Sequence, residues 1–132
     1  MKKIGVLLVA VLSIGLCVSI VSALNYDSYS FKKVGDYDVG TGRKLPYKYP
    51  YVMWENDTPD SDAHLAITLN KKNFFGQYLN VTRQQKWIKN VDKYNFKFSK
   101  QSTGTYRCNA IFNDSNDNKP IAGRYYLTSV EG

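Results

Sequence analysis

The chain has 132 residues, 18 of them Lys or Arg against 11 Asp or Glu, for a formal net charge of +7. The lone histidine has no evident nucleophile beside it to make a triad, and two cysteines exclude a cysteine-rich scaffold. No paired carboxylates, Ser-His pair or metal cluster stand out, so nothing asks for a cofactor or a metal, and the chain reads as non-enzymatic.

The first segment reads as a secretory signal peptide, residues 1–23. Lys2 and Lys3 give the positive start, an apolar stretch follows from Ile4 to Ile20, and Val21-Ser22-Ala23 supplies the small residues a signal peptidase reads. As an uncleaved anchor the stretch is at the short end of the roughly 17–25 residues a spanning helix needs. Cys17 follows Leu16, where a lipoprotein signal wants a small residue. Cleavage after Ala23 removes Lys2, Lys3 and Cys17, leaving 16 basic and 11 acidic residues, or +5, and Cys108 as the sole cysteine. No intrachain disulfide is then possible, and a lone cysteine on an alternating strand is expected to be a buried thiol. The 109 residues from Leu24 suffice for one domain that hides roughly 60–70% of its unfolded surface. No second apolar stretch follows, so no stable membrane insertion is expected after cleavage, and the product should be secreted, extracellular or at the cell surface.

Residues 24–62 form a Tyr/Pro-rich extended segment. Pro46 and Pro50 push their predecessors toward extended geometry, and a strand is expected near Tyr51 to Glu55, closed by the turn Asn56-Asp57-Thr58-Pro59-Asp60. If the chain stays extended, Tyr47, Tyr49 and Tyr51 share one face while Lys48, Val52 and Trp54 share the other with Pro50. Aromatic rows stack on sugar rings or anchor protein partners. These tyrosines, with Trp54 beside them, are the candidate ligand-binding residues; the competing reading is that the rings cover the core.

Residues 63–132 carry the more regular pattern. His64 to Asn70 alternates, with Leu65, Ile67 and Leu69 on one face, and a further strand is expected from Phe74 to Val81 around Gly76. Thr82-Arg83-Gln84-Gln85 fits a capping box, and Trp87, Ile88, Val91 and Tyr94 share a helical face, which predicts a short helix over 83–93. Its Arg83, Lys86, Lys89 and Lys93 read as a solvated basic face rather than as a cluster demanding an anion. Tyr94, Phe96 and Phe98 alternate again, Ser99 to Gly104 turns, Thr105 to Phe112 is a strand, and Arg124 to Val130 is the last one. Short strands at regular spacing with turns between them predict an all-β antiparallel sandwich.

The run Ser102-Thr103-Gly104-Thr105-Tyr106-Arg107-Cys108-Asn109-Ala110-Ile111-Phe112 resembles strand F of immunoglobulin-like domains. Gly104, Tyr106, Ala110 and Phe112 match one by one the Gly-x-Tyr-x-x-x-Ala-x-Phe phrase of immunoglobulin-like modules in bacterial and archaeal surface and adhesin-like proteins. The match is strong over about 30 residues from Tyr94 and weak over about 70 from Ala63. The resemblance implies an immunoglobulin-like β-sandwich in which Gly104, Tyr106 and Cys108 are the fold signature. It further implies that the Tyr106 hydroxyl bonds back to its corner, that 119–130 forms strand G of the same hairpin, and that Trp54 or Trp87 is the core tryptophan. Such modules serve as spacers, stalks or binding heads.

Other motifs carry less. His64 follows Asp57, Asp60 and Asp62, a set that reads as a polar turn before it reads as a metal site. Asp114-Ser115-Asn116-Asp117-Asn118 starts like a calcium loop, but Lys119 and Tyr125 stand where glycine and glutamate belong. Asn56, Asn80 and Asn113 each open an Asn-x-Ser/Thr sequon, a glycosylation acceptor in a host that modifies secreted proteins. The basic residues are dispersed, so no nucleic-acid partner is expected. The sequence therefore points to a secreted binding module of surface or adhesion type, whose partner is an extracellular protein or a glycan such as a cell-envelope polymer. The alternative is a soluble inhibitor of a foreign enzyme or toxin.

Overall fold

A computed structural model describes residues 26–131; the signal segment, its Cys17 and residues 24, 25 and 132 lie outside the described residues. Among the described residues nine strands follow one another: β1 (Asp27–Phe31), β2 (Tyr37–Val39), β3 (Arg43–Leu45), β4 (Tyr49–Asn56), β5 (Ala63–Lys72), β6 (Tyr78–Ile88), β7 (Lys93–Lys97), β8 (Gly104–Ser115) and β9 (Ile121–Val130). All pairings are antiparallel. The first sheet runs β1-β9-β4-β7, and the second runs β2-β8-β5-β6 with β3 also on β8. Both sheets, and the buried core between them, lie within Asp27 to Val130.

The antiparallel sandwich expected from the sequence is present, but its strand order is that of a jelly roll. In an immunoglobulin sandwich the last two strands form a hairpin in one sheet. Here β8 lies in the second sheet and β9 in the first, so 119–130 crosses the sandwich instead of closing a hairpin. The Tyr/Pro-rich segment also belongs to the sandwich, supplying β1 to β4, with β4 central in the first sheet. Pro50 is tolerated in that central strand because its missing N–H falls beyond the end of the β4–β7 register, which begins at Tyr51↔Lys97.

The helix expected over 83–93 is absent. Residues 78–88 are β6, paired with β5 from Ala63↔Ile88 to Lys72↔Tyr78, and β7 starts at Lys93. β6 is an edge strand, mostly exposed on both faces until Ile88, so its polar residues show no two-residue alternation. The helix-like spacing of Ile88 and Tyr94 has another cause. Ile88 enters the core, and the Tyr94 hydroxyl accepts the N–H groups of Lys89 (3.1 Å) and Asn90 (3.0 Å), fixing the β6–β7 turn. Of the strand expected from Phe74 to Val81, residues 78–81 open β6, while the part around Gly76 is a turn, where Gly76 takes φ 81°, a conformation that favours glycine.

The core is aromatic at its centre. Trp54 is fully buried, with ring centroids 5.8 Å from Phe31 and 6.1 Å from Tyr125. Its indole N–H donates to Asn56 Oδ1 at 3.3 Å. The Asn56 amide donates in turn to the carbonyls of Thr58 (3.0 Å) and Asn90 (2.8 Å) and to Ser61 Oγ (3.0 Å). Leu65, Ile67, Leu69, Cys108, Ala110 and Phe112 close the core from the second sheet. The Tyr125 hydroxyl crosses between sheets to Asp38 at 2.6 Å. The signature strand performs locally as expected: the Tyr106 hydroxyl donates to the Ser102 carbonyl, and Cys108 is buried.

Gly123 makes room for Trp54. A Cβ there would lie 2.7 Å from Trp54 Cζ2 and would also strike the Glu55 carbonyl. Gly123→Ala should destabilise by about 1–3 kcal/mol, the usual cost of overpacking a dense core; a denaturant midpoint equal to wild type would contradict this packing. Burial, more than its distant charges, pushes the Cys108 thiol far above its ordinary pKa. Native protein should therefore react with a thiol reagent only as fast as it unfolds, which stopped-time labelling with mass readout will show.

Candidate binding face

Because side chains alternate along a strand, β4 divides its residues between two environments. Pro50, Val52, Trp54 and Asn56 are buried, while Tyr49, Tyr51, Met53 and Glu55 are half-buried on the outer face of the first sheet. The registers then set their neighbours. On β9, Val130, Thr128, Tyr126 and Arg124 oppose these four in turn. On β7, Lys97, Asn95 and Lys93 oppose Tyr51, Met53 and Glu55.

The rings on this face hold one another. Tyr126 packs edge-on against Tyr26 (5.0 Å, 88°) and Tyr51 (6.4 Å, 68°), and its hydroxyl rests 3.4 Å from Met53 Sδ. The Arg124 guanidinium lies 4.0 Å over the Tyr26 ring, with Arg124 Nε 3.2 Å from Glu55 Oε2. The outcome is a row of tyrosines, fixed at one end by an ion pair and open at the other. At the open end lies a hollow of about 560 Å³, lined by Tyr49, Tyr51, Met53, Asn95, Lys97 and Phe98. Aromatic faces, an amide and one ammonium group can stack a flat apolar face and hydrogen-bond its polar rim.

The sequence-derived candidates separate. Tyr49 and Tyr51 share this hollow. Tyr47 precedes β4; its N–H donates to Ser129 Oγ at 3.0 Å, and its ring lines a neighbouring depression with Lys48, Tyr49 and Lys100. Trp54 is no surface residue: it faces inward with no exposure, which removes it from the ligand-binding set and makes it the core tryptophan. Trp87 is 39% exposed on β6, its ring 4.8 Å from that of His64. The sequence reading missed Tyr126, Met53, Asn95 and Lys97. Alternation in β7 and β9 carried part of that signal, but the pairing of both strands with β4 did not show.

The three sequons also separate. Asn56 is 2% exposed with its amide fully engaged, so a glycan there is incompatible with the folded core. Asn80 and Asn113 are exposed; Asn113 accepts from Arg83 (3.2 Å) and meets His64 Nδ1 at 3.1 Å. In the 114–118 loop Asp114 and Asp117 accept local N–H and hydroxyl groups, and near His64 Asp62 ties its loop to the 114–118 loop. Asp62 accepts from Asn116 at 3.2 Å. Asp117 accepts from the Lys119 N–H, its main cause of a lowered pKa, and from Ser115 Oγ.

No protein-family model matches the sequence, and no curated protein does. Solved structures of similar shape include PirA, at 12% identity and TM-score 0.48 over 80% of this chain and 93% of that one. They also include the Yersinia pseudotuberculosis-derived mitogen, at 14% identity and TM-score 0.43 over 83% of this chain and 89% of that one. A third is the CBM22-1 xylan-binding domain of Paenibacillus barcinonensis Xyn10C, at 12% identity and TM-score 0.37 over 83% of this chain and 97% of that one. Among the described residues no helix is long and apolar enough to cross a membrane.

Burial, and next the neighbouring Tyr51 phenol, push Tyr126 up to about 12; burial and the bond to Asp38 push Tyr125 higher still. A phenol whose pKa is raised by folding stabilises the fold below its unfolded pKa of about 10, and that stability fades as pH rises through the folded value. Absorbance at 295 nm should show Tyr125 and Tyr126 ionising only well above the unfolded value, together with loss of near-ultraviolet circular dichroism. Ionisation of Tyr125 and Tyr126 at the unfolded value, with the fold intact, would contradict the packing.

Proposed function

We propose that this domain is a secreted, non-enzymatic binding module that takes a polymeric glycan of a cell envelope on the outer face of its first sheet. The reading is carried by one observation: Tyr49 and Tyr51 flank a hollow with Lys97 and Asn95, while Tyr126, itself against Met53, braces Tyr51 from beside. Sugar rings have an apolar C–H face and a polar rim. Tyrosine rings suit the face, and an amide and an ammonium group suit the rim. Residues two apart on a strand are spaced about 7 Å, so Tyr49 and Tyr51 present two rings along one direction, as an extended polymer requires. Lys97 beside the rings favours a sugar that bears a carboxylate, sulfate or phosphate. The braced Tyr51 ring loses little rotamer entropy on binding, which favours affinity without a conformational change.

Affinity electrophoresis of the chain Leu24 to Gly132 in gels containing acidic and neutral envelope polysaccharides tests this. Retardation should be strongest with an acidic polymer. Tyr51→Ala and Tyr49→Ala should each weaken it about tenfold or more, a loss equal to about 1.4 kcal/mol, with little change in melting temperature. Lys97→Gln should weaken the acidic polymer more than a neutral one. Unchanged retardation in the tyrosine variants would overturn the assignment of this face.

A further inference from the structure

The β5–β6 hairpin ends in a feature that the tyrosine face does not involve. Phe74 is 96% exposed and Phe75 83%, side by side at the tip, with ring centroids 5.6 Å apart at 86°. The tip is held in shape. Asn73 Oδ1 accepts the N–H groups of Phe75 and Gln77, each at 2.9 Å, and the Asn73 N–H donates to the Gln77 carbonyl at 2.7 Å. Gly76 supplies the left-handed residue that the turn needs. Leu79 (55% exposed) and the bulged Val81 (39%) continue the apolar strip down β6. Two phenyl rings on a fixed convex tip contribute nothing to the core and remain in contact with water, a pattern that marks an interaction site.

Charge identifies the partner. From Ala63 to Asn90 the hairpin carries Lys71, Lys72, Arg83, Lys86 and Lys89 and no carboxylate. Lys72 is exposed next to the tip, and Lys71 is tied to Ser102 Oγ beside it. Aromatic rings at a tip with ammonium groups set behind them match an anionic bilayer surface: rings enter the boundary between headgroups and acyl chains while lysines meet the phosphates.

We propose that the β5–β6 tip docks the domain on an anionic lipid surface by inserting Phe74 and Phe75. This contact is separate from the tyrosine face, so the two sites can hold a glycan and a lipid surface at once.

The test is co-sedimentation of the chain Leu24 to Gly132, which contains both sheets and lacks the apolar leader. The vesicles are phosphatidylcholine alone and an equal mixture with phosphatidylglycerol. The wild-type chain should partition onto the mixed vesicles far more than onto the neutral ones, and less as salt is raised. Phe74→Ser with Phe75→Ser should reduce partitioning about tenfold or more with an unchanged thermal melt. Lys72→Gln should reduce it by a smaller factor, and Tyr51→Ala should leave it unchanged. Absence of wild-type partitioning, equal partitioning onto neutral vesicles, or full retention by the double Phe variant would each overturn the proposal. The last of these would leave attraction by net charge alone.

Discussion

The Trp54 indole between the two sheets is the contact on which the rest of the molecule depends. It is the largest of the fully buried side chains, and it packs against β1 through Phe31 and against β9 through Tyr125. It fits only because residue 123 on β9 has no side chain. Its single polar atom is satisfied by Asn56, whose amide then gathers Thr58, Ser61 and Asn90. One buried ring therefore orders the centre of the sandwich and, through one buried amide, the loops at one end of it. A buried donor left without a partner costs about 1–3 kcal/mol, so the indole and the amide are coupled: losing either strands the other.

That inward commitment also creates the outer face. With Trp54 and Val52 fixed toward the core, alternation leaves Tyr49, Tyr51 and Met53 no place but outside. A slip of one residue would put tyrosines in the core and the tryptophan in water, so the packing that stabilises the fold also aims the rings. The Arg124–Glu55 pair at the far end of the row is half-exposed and adds little stability. Its consequence is positional, since Arg124 over Tyr26 keeps that ring against Tyr126. The second sheet presents a different chemistry, with basic residues and no carboxylate along its β5–β6 hairpin and two phenylalanines at the tip. The two surfaces thus differ in chemistry, one lined by tyrosine rings beside an amide and an ammonium group, the other by phenyl rings and basic residues.

The sequence carried the β class, the strands around residues 51, 65, 96, 108 and 127, the burial of Cys108 and the Tyr106 corner, because each rests on local alternation or a local hydrogen bond. It did not carry the order of strands. Gly104, Tyr106 and Cys108 behave alike on a jelly-roll strand and on strand F of an immunoglobulin domain; what differs is where the next strand goes, and that is set by long-range packing such as Ile121 and Tyr125 in the shared core. β6 was misread because an edge strand wet on both faces has no periodicity, while Thr82 and Gln85 happen to fit a cap. Half of the candidate face was legible: Tyr49 and Tyr51 follow from spacing within one strand. Tyr126, Asn95 and Lys97 arrive from strands far away in sequence, and only the registers of β4 with β9 and β7 bring them together. Trp54 sat at the right spacing for a core tryptophan and on the right strand for a site, and its parity with Val52 decides for the core.

The most direct measurement of the central claim is an amide chemical-shift map of the isotopically labelled chain Leu24 to Gly132, titrated with short fragments of an acidic envelope polysaccharide. The account predicts that shifts cluster on Tyr49, Tyr51, Met53, Asn95 and Lys97, with Tyr126 following them. Shifts confined to the second sheet or its loops, with β4 and β7 unmoved at saturation, would contradict it.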